Sequence, residues 1–337
     1  MPDPSGRVDL RSDTVTRPTL EMRRAMAEAE VGDDGFGDDP TVARLEAAFA
    51  ELVGKEASLF VPSGTMANQI ALRLLAPPGT VVLVGRRQHV VVREAGAAGR
   101  NAAAQLVALD DADGTIDPSE VARWVADAGV GWSEPSAVFV EDTHGEVGGR
   151  VWPLERLDAV AAAGLPVHLD GARLWNAAVA SSTTVAERAA SATTVTCCVS
   201  KGLGAPVGSL LAGPVDLVAR ARLERKRLGG GMRQVGILAA AGLVALDRVD
   251  RLAEDHERAR RLAKAASTRW PGGVDLALVQ TNIVRIAVGD PRPVLAHLGE
   301  HGVLAVPGSS DTVRLVTHAD VDDADVDRTI AAIECAP

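Results

Sequence analysis

The stretch Val167-His-Leu-Asp-Gly-Ala-Arg-Leu-Trp-Asn176 decides how the chain is read, together with Cys197-Cys-Val-Ser-Lys-Gly-Leu-Gly204. Each begins as a short apolar run and ends in charged or small residues, the pattern of a buried parallel strand emerging at its carboxyl end. Ligands of open α/β sheets bind at those ends. The first strand would deliver Asp170 and Arg173, the second Lys201 followed by glycine. An acid and a lysine on neighbouring strand ends suit pyridoxal phosphate (PLP). The lysine condenses with the cofactor's aldehyde, and the acid keeps the ring nitrogen protonated. The same residues also suit a buried ion pair that merely ties two strands together, so these segments alone leave both readings open.

Working outward, further apolar runs resemble strands at residues 57–61, 81–84, 137–142 and 208–213. Helical patterns lie between them, opened by Pro18 to residue 30, capped by Thr41 over 42–52, and over 66–75, 117–128 and 154–163. This alternation predicts an α/β sheet, largely parallel. Ser63-Gly-Thr65 stands where a strand turns into a helix, so backbone amides and the helix dipole would converge on one spot. A phosphate site and an ordinary N-cap both fit it. His89 lies just past a strand end, where a ring could stack on a flat cofactor or serve structurally. Ser12, Asp13 and Thr14 sit on an arm that either reaches a site or forms a local turn. The basic helix after Pro214 carries Lys226 and runs into Gly229-Gly-Gly-Met-Arg233, where cations face solvent or a phosphate across a subunit boundary. Near the C-terminus, Arg285 and Arg314 on strand-like runs are candidates to receive a carboxylate. The expected division is an arm (1–17), a large domain (18–249) and a small C-terminal α+β domain (250–337).

The 337 residues have 47% hydrophobic and 24% charged content, ordinary for a globular enzyme. A net charge of −10 argues against nucleic-acid and anionic-membrane partners. Three cysteines, two of them adjacent, form neither a disulfide framework nor a spaced metal site, so no metal is expected. No apolar signal region or bilayer-length run is present, which makes the cytoplasm the expected location. No strand is followed by a dinucleotide or P-loop fingerprint.

Taken in register, eight segments resemble the low-specificity L-threonine aldolases, grouped with the β-eliminating lyases. They are Leu-Arg-Ser-Asp-Thr-Val-Thr (10–16), Gly-Asp-Asp-Pro-Thr (37–41), Phe-Val-Pro-Ser-Gly-Thr-Met (60–66), Glu-Asp-Thr-His (141–144), His-Leu-Asp-Gly-Ala-Arg-Leu (168–174), Ser-Lys-Gly-Leu (200–203), Gly-Gly-Gly-Met-Arg-Gln (229–234) and Arg-Leu-Val-Thr-His (314–318). The resemblance implies the aspartate-aminotransferase fold (fold type I) with PLP as cofactor, and cleavage of L-threonine, L-allo-threonine or a related β-hydroxy amino acid to glycine and an aldehyde. It implies that Lys201 holds PLP, Asp170 pairs with its ring nitrogen, Ser63, Gly64 and Thr65 bind its phosphate, and His89 stacks on it. Ser12, Arg173 and Arg314 would grip the substrate carboxylate. Lys226 and Arg233 would complete a neighbouring subunit's site in a homodimer or homotetramer.

The side-chain half of the site departs from the family pattern. Tyrosine is absent from the chain, and Phe36 takes the place of the family's loop tyrosine. Val91 and Arg93 replace aromatic residues after the stacking histidine, and a loop histidine is replaced near Gly131. An inward-pointing Arg93 would favour a polar or anionic β-substituent. Two alternatives remain: another fold-type-I reaction, such as β-elimination or racemisation, and a PLP-binding oligomer without catalysis.

Overall fold

The computed structural model describes residues 6–337. Its main sheet holds β1 (Ala57–Val61), β2 (Val81–Gly85), β3 (Gln105–Leu109), β4 (Pro135–Glu141), β5 (Val167–Gly171), β6 (Thr194–Cys198) and β7 (Ser209–Gly213). Across the sheet the order is β1-β7-β6-β5-β4-β2-β3. All neighbours are parallel except those of β7, which runs antiparallel to both β1 and β6. The central strands are buried almost throughout because both faces are covered. Phe60, Leu83, Val138 and Leu169 enter the core on one side; Leu59, Val84 and Phe139 enter the core on the other. The edge strand β3 is absent from the sequence reading: Gln105-Leu-Val-Ala-Leu109 is half exposed, and its short apolar run directly continues the alanine-rich stretch of the preceding helix Ala97–Ala102.

Two helix starts differ from expectation. The helix expected over 18–30 spans Leu20–Ala27, with Thr19 accepting from the Met22 amide. The next spans Pro40–Val53, and its cap is Asp39 rather than Thr41. Asp39 Oδ1 accepts from the amides of Thr41 and Val42, while the Thr41 hydroxyl donates to the Glu30 carbonyl. Aspartate is at least as good a cap as threonine, and proline favours the first helical position, so the boundary moves two residues upstream.

The small domain packs a three-stranded antiparallel sheet (Val306–Pro307, Thr312–Val316, Ile283–Ala287) against helices Leu252–Arg269, Pro291–Glu300 and Asp323–Glu334. Its core begins inside the long helix. Leu252 belongs to the large-domain core, whereas Ala259, Leu262 and Ala263 belong to the small one. The arm joins this second core: Val8–Asp9 pairs in parallel with Val303–Leu304, and Val8 and Leu10 are buried there. The arm's first five residues lie outside those described. No helix among the described residues is long and apolar enough to cross a membrane.

Candidate active site

The carboxyl ends of β5 and β6 meet the start of helix Gly64–Leu75 around a cavity of about 340 Å³. Six of the residues singled out in the sequence face it together: Ser63, Gly64, Thr65, His89, Asp170 and Lys201. At the helix start, Ser63 Oγ accepts from the Met66 amide at 3.2 Å and the Ser63 carbonyl accepts from Ala67. No hydrogen bond among the described residues takes up the amides of Gly64 and Thr65, so both remain available to an anion at the positive end of the helix. A side chain at Gly64 would come within 3.1 Å of Cys198 Sγ, so glycine keeps the cavity wall close to β6.

Asp170 closes the deep end. Its Oδ2 accepts from Asn68 at 2.7 Å and its Oδ1 from the Ala172 amide at 3.1 Å. Asn68 is itself oriented by His168, which burial pushes down to a pKa of about 4 and keeps neutral. His168 Nε2 meets Asn68 Oδ1 at 3.0 Å and its Nδ1 meets the Thr194 hydroxyl at 2.9 Å. The first contact requires a proton on Nε2, which leaves the Asn68 amide hydrogens for Asp170 and Glu94. Lys201, half-buried and lining the same cavity, has no hydrogen bond or ion pair on its ammonium among the described residues. Its carbonyl accepts from Thr16.

His89 opens the short helix His89–Val92, just past the strand end where the sequence reading assigns no element. Its amide donates to Glu141 Oε2 at 2.5 Å, and Nδ1 pairs with Glu94 Oε1 at 2.9 Å. Burial pulls its pKa down, but the Glu94 hydrogen bond and the charges of Asp170, Glu94 and Glu141 outweigh it and raise the pKa overall. Asn68, Glu94 and Glu141 were missed in the sequence. Asn68 sits inside a helix among apolar residues, and its link to Asp170 spans 102 positions.

Beside this cavity, Arg173 is held by Asp13, whose two oxygens accept from Nε at 2.7 Å and Nη2 at 2.6 Å. Burial works to raise the Asp13 pKa, yet Arg173, Lys201 and Asn282 bring it to about 2. Asn282 donates to the same carboxylate at 3.2 Å, so Asp13 joins arm, large domain and small domain. Ser12 lies next to it, accepting from the Thr14 amide and hydroxyl. Arg314 is half-buried and pairs with no carboxylate among the described residues. One Nη2 donates to the Arg11 carbonyl at 3.1 Å, and its Nε is buried without a partner. Burial, reinforced by the nearby positive charge of Arg173, lowers its pKa.

Seven expected residues do not line the cavity in the single chain: Ser12, Arg173 and Arg314, as well as Arg93, Phe36, Lys226 and Arg233. Arg93 donates to Glu146 through Nε (2.8 Å) and Nη2 (2.5 Å), and Glu146 also accepts from Arg285 at 3.1 Å. Arg93, expected among the substrate-binding residues, thus stands in an Arg–Glu–Arg triad bordering a separate cavity of about 680 Å³ between the domains. Phe36 is 86% exposed, the Arg233 side chain is 71% exposed, and Lys226 is exposed as well. Phe36 and Arg233 belong to adjoining segments: the Asp34 amide donates to the Arg233 carbonyl. The turn before Arg233 passes helix Gly64–Leu75, where a side chain at Gly230 would strike Met66 Sδ. Gly131 sits in an exposed loop away from the cavity.

The residues present fit PLP. They offer a pinned carboxylate for the ring nitrogen, a lysine free of partners, unclaimed amides for the phosphate, and an imidazole at the side. Comparison with known proteins agrees with this geometry. The beta-eliminating lyase family model matches residues 9–289. A probable low-specificity L-threonine aldolase 2 of Arabidopsis thaliana is 40% identical, covering 97% of this chain and 96% of its own. The low specificity L-threonine aldolase of Escherichia coli K12 is 43% identical, covering 93% of this chain and 94% of its own. The solved threonine aldolase of Leishmania major superposes with a TM-score of 0.84 at 20% identity, over 97% of this chain and 98% of that one, which establishes the fold. With the family model spanning most of the sequence and both relatives aligned end to end, the chain belongs to the beta-eliminating lyase family.

Proposed function

We propose that the chain is a PLP-dependent aldehyde-lyase that cleaves L-threonine, L-allo-threonine or a related β-hydroxy-α-amino acid to glycine and an aldehyde. The observation that carries this reading is that Lys201, Asp170, Gly64 and Thr65 all line one cavity. PLP bound there supplies an electron sink for the bond broken at the substrate's Cα. Lys201 anchors the cofactor, Asp170 holds the protonated ring nitrogen, and the amides of Gly64 and Thr65, with Ser63 beside them, hold the phosphate.

Arg314 supplies the unpaired cation for the substrate's α-carboxylate. Arg173, fixed by Asp13, adds positive charge from a direction it cannot leave. Ser12 borders this clamp. Fixing the carboxylate fixes which bond at Cα stands perpendicular to the ring, so the clamp also selects the reaction. His89 uses Nδ1 on Glu94, leaving Nε2 as the nitrogen that handles a proton near the cavity. Closing the site against water falls to a second subunit, whose Lys226, Arg233 and Phe36 meet this cavity across the interface. The assembly is a homodimer or homotetramer in the cytoplasm.

The test is a product assay on the holoenzyme. Acetaldehyde from L-threonine or L-allo-threonine, read by coupled NADH oxidation, should appear with an equal amount of glycine. Ammonia with a keto acid, or an inverted amino acid, would instead identify a different reaction on the same scaffold. No product from any β-hydroxy amino acid would refute catalysis.

A further inference from the structure

Three metal-binding side chains meet on the far side of the small domain, outside the cofactor cavity. His297 lies in the last turn of helix Pro291–Glu300, and His301 is its C-cap residue. Cys335 is the C-cap residue of helix Asp323–Glu334. One ligand atom from each lies within 4.8 Å of the other two. The imidazoles are tilted by 34° with centroids 4.2 Å apart.

We propose that His297, His301 and Cys335 form a binding site for a borderline divalent transition ion of the Zn²⁺ class. Zn²⁺ with ligands at about 2.1 Å (N) and 2.3 Å (S) in a tetrahedral arrangement separates nitrogen from sulfur by about 3.6 Å. Cys335 Sγ and His297 Nε2 are 3.6 Å apart. Pairs of nitrogens around such an ion are about 3.4 Å apart, so seating it requires shifts of only about 1 Å from the present spread.

The surroundings favour a cation independently of the three side chains. Both helices end here, so the negative ends of two macrodipoles converge on one point. The His301 ring is already set for ligation. Nδ1 donates to the His297 carbonyl at 2.8 Å, which leaves Nε2 outward, the arrangement in which a second hydrogen bond fixes a ligand's tautomer. His297 Nε2 now donates to the Ala332 carbonyl at 3.0 Å, and the Cys335 thiol donates to Ala331 at 3.2 Å. Binding moves the His297 proton to Nδ1 and releases the thiol proton to solvent, as a nitrogen–thiolate donor set requires. A thiolate and two imidazoles select Zn²⁺, Co²⁺ or Cu over Mg²⁺ and Ca²⁺. Three protein ligands leave one position open to water or to a donor from another molecule. The ion would clamp the last helix to the preceding one.

The test uses holoenzyme, because the other grouping of this kind among the described residues, His89, Glu94 and Asp170, belongs to the cofactor cavity. Zn²⁺ should bind once per chain in competition with a chromophoric chelator, and should raise the melting temperature. Co²⁺ should add a near-ultraviolet thiolate band. Cys335→Ser and His301→Ala should each weaken Zn²⁺ binding by ~10-fold or more, a loss seen even for groups that only support a ligand. Both variants should abolish the melting shift, and Cys335→Ser the cobalt band, while cofactor loading stays as in the parent. The proposal is overturned by undetectable binding at micromolar Zn²⁺, by unchanged affinity in the double variant, or by a cobalt spectrum without a thiolate band.

Discussion

Replacing Asp13 by alanine should damage the protein twice, in its stability and in its grip on the substrate. The carboxylate is fully buried and receives two charge-assisted hydrogen bonds from Arg173, whose side chain is only 13% exposed. Removing it leaves a guanidinium desolvated with no counter-charge, a change that typically costs about 3–5 kcal/mol. The acid side gives an independent figure. A carboxyl pKa lowered from 3.8 to about 2 corresponds to native-state stabilisation on the order of a few kcal/mol. Because the folded value is the lower one, that contribution is complete above pH 3.8 and disappears as pH falls through about 2. At neutral pH the variant holoenzyme should therefore melt several degrees lower, as read by circular dichroism. Its KM for β-hydroxy amino acids should rise more than its kcat falls, since Arg173 is no longer aimed. Asp13→Asn, which keeps the shape but not the charge, should recover little. A variant that melts with the parent and keeps its KM would refute the assignment of Asp13 as the buried counter-ion that positions Arg173.

Other outcomes follow from the same geometry. Arg314→Ala should lower kcat/KM by on the order of 10²–10³, the cost of a lost charge-assisted clamp, with the PLP absorbance band retained. Glu94→Gln should move the His89 titration to lower pH in histidine NMR spectra. In the parent, the raised pKa means that the protonated ring's stabilising contribution is full below pH 6.5 and lost as pH rises through the higher folded value. Arg93→Ala should cost less than about 1 kcal/mol of stability, because its pair with Glu146 is half exposed, and any activity change should depend on the aldehyde half of the substrate. Inactive Lys201→Ala subunits mixed with impaired Arg233→Ala subunits should regain activity if Arg233 serves a neighbour's cofactor; no recovery would place Arg233 outside the shared site.

Much of this arrangement was legible because strand ends and helix starts announce themselves locally. Asp170 and Lys201 terminate apolar runs, and Ser63-Gly-Thr65 marks a strand-to-helix turn, so cavity residues could be named from short windows. What was not legible depends on pairs far apart in the chain. Asn68 with Asp170, Asp13 with Arg173 and Arg93 with Glu146 are separated by 102, 160 and 53 positions, and no local pattern signals such meetings. Edge strand β3 was hidden for a different reason. Half exposed, its short apolar run follows the alanine-rich helix Ala97–Ala102 with no glycine or proline to mark where helix gives way to strand. The helix cap at Asp39 was displaced by a choice between adjacent capping residues, where proline at the next position tips the balance.

The central claim is that Lys201 carries the cofactor opposite Asp170. Holoenzyme reduced with borohydride, digested and mapped by mass spectrometry should carry a single pyridoxyl group, on Lys201. A pyridoxyl group on a different lysine, or an unmodified Lys201 peptide from protein saturated with PLP, would contradict it.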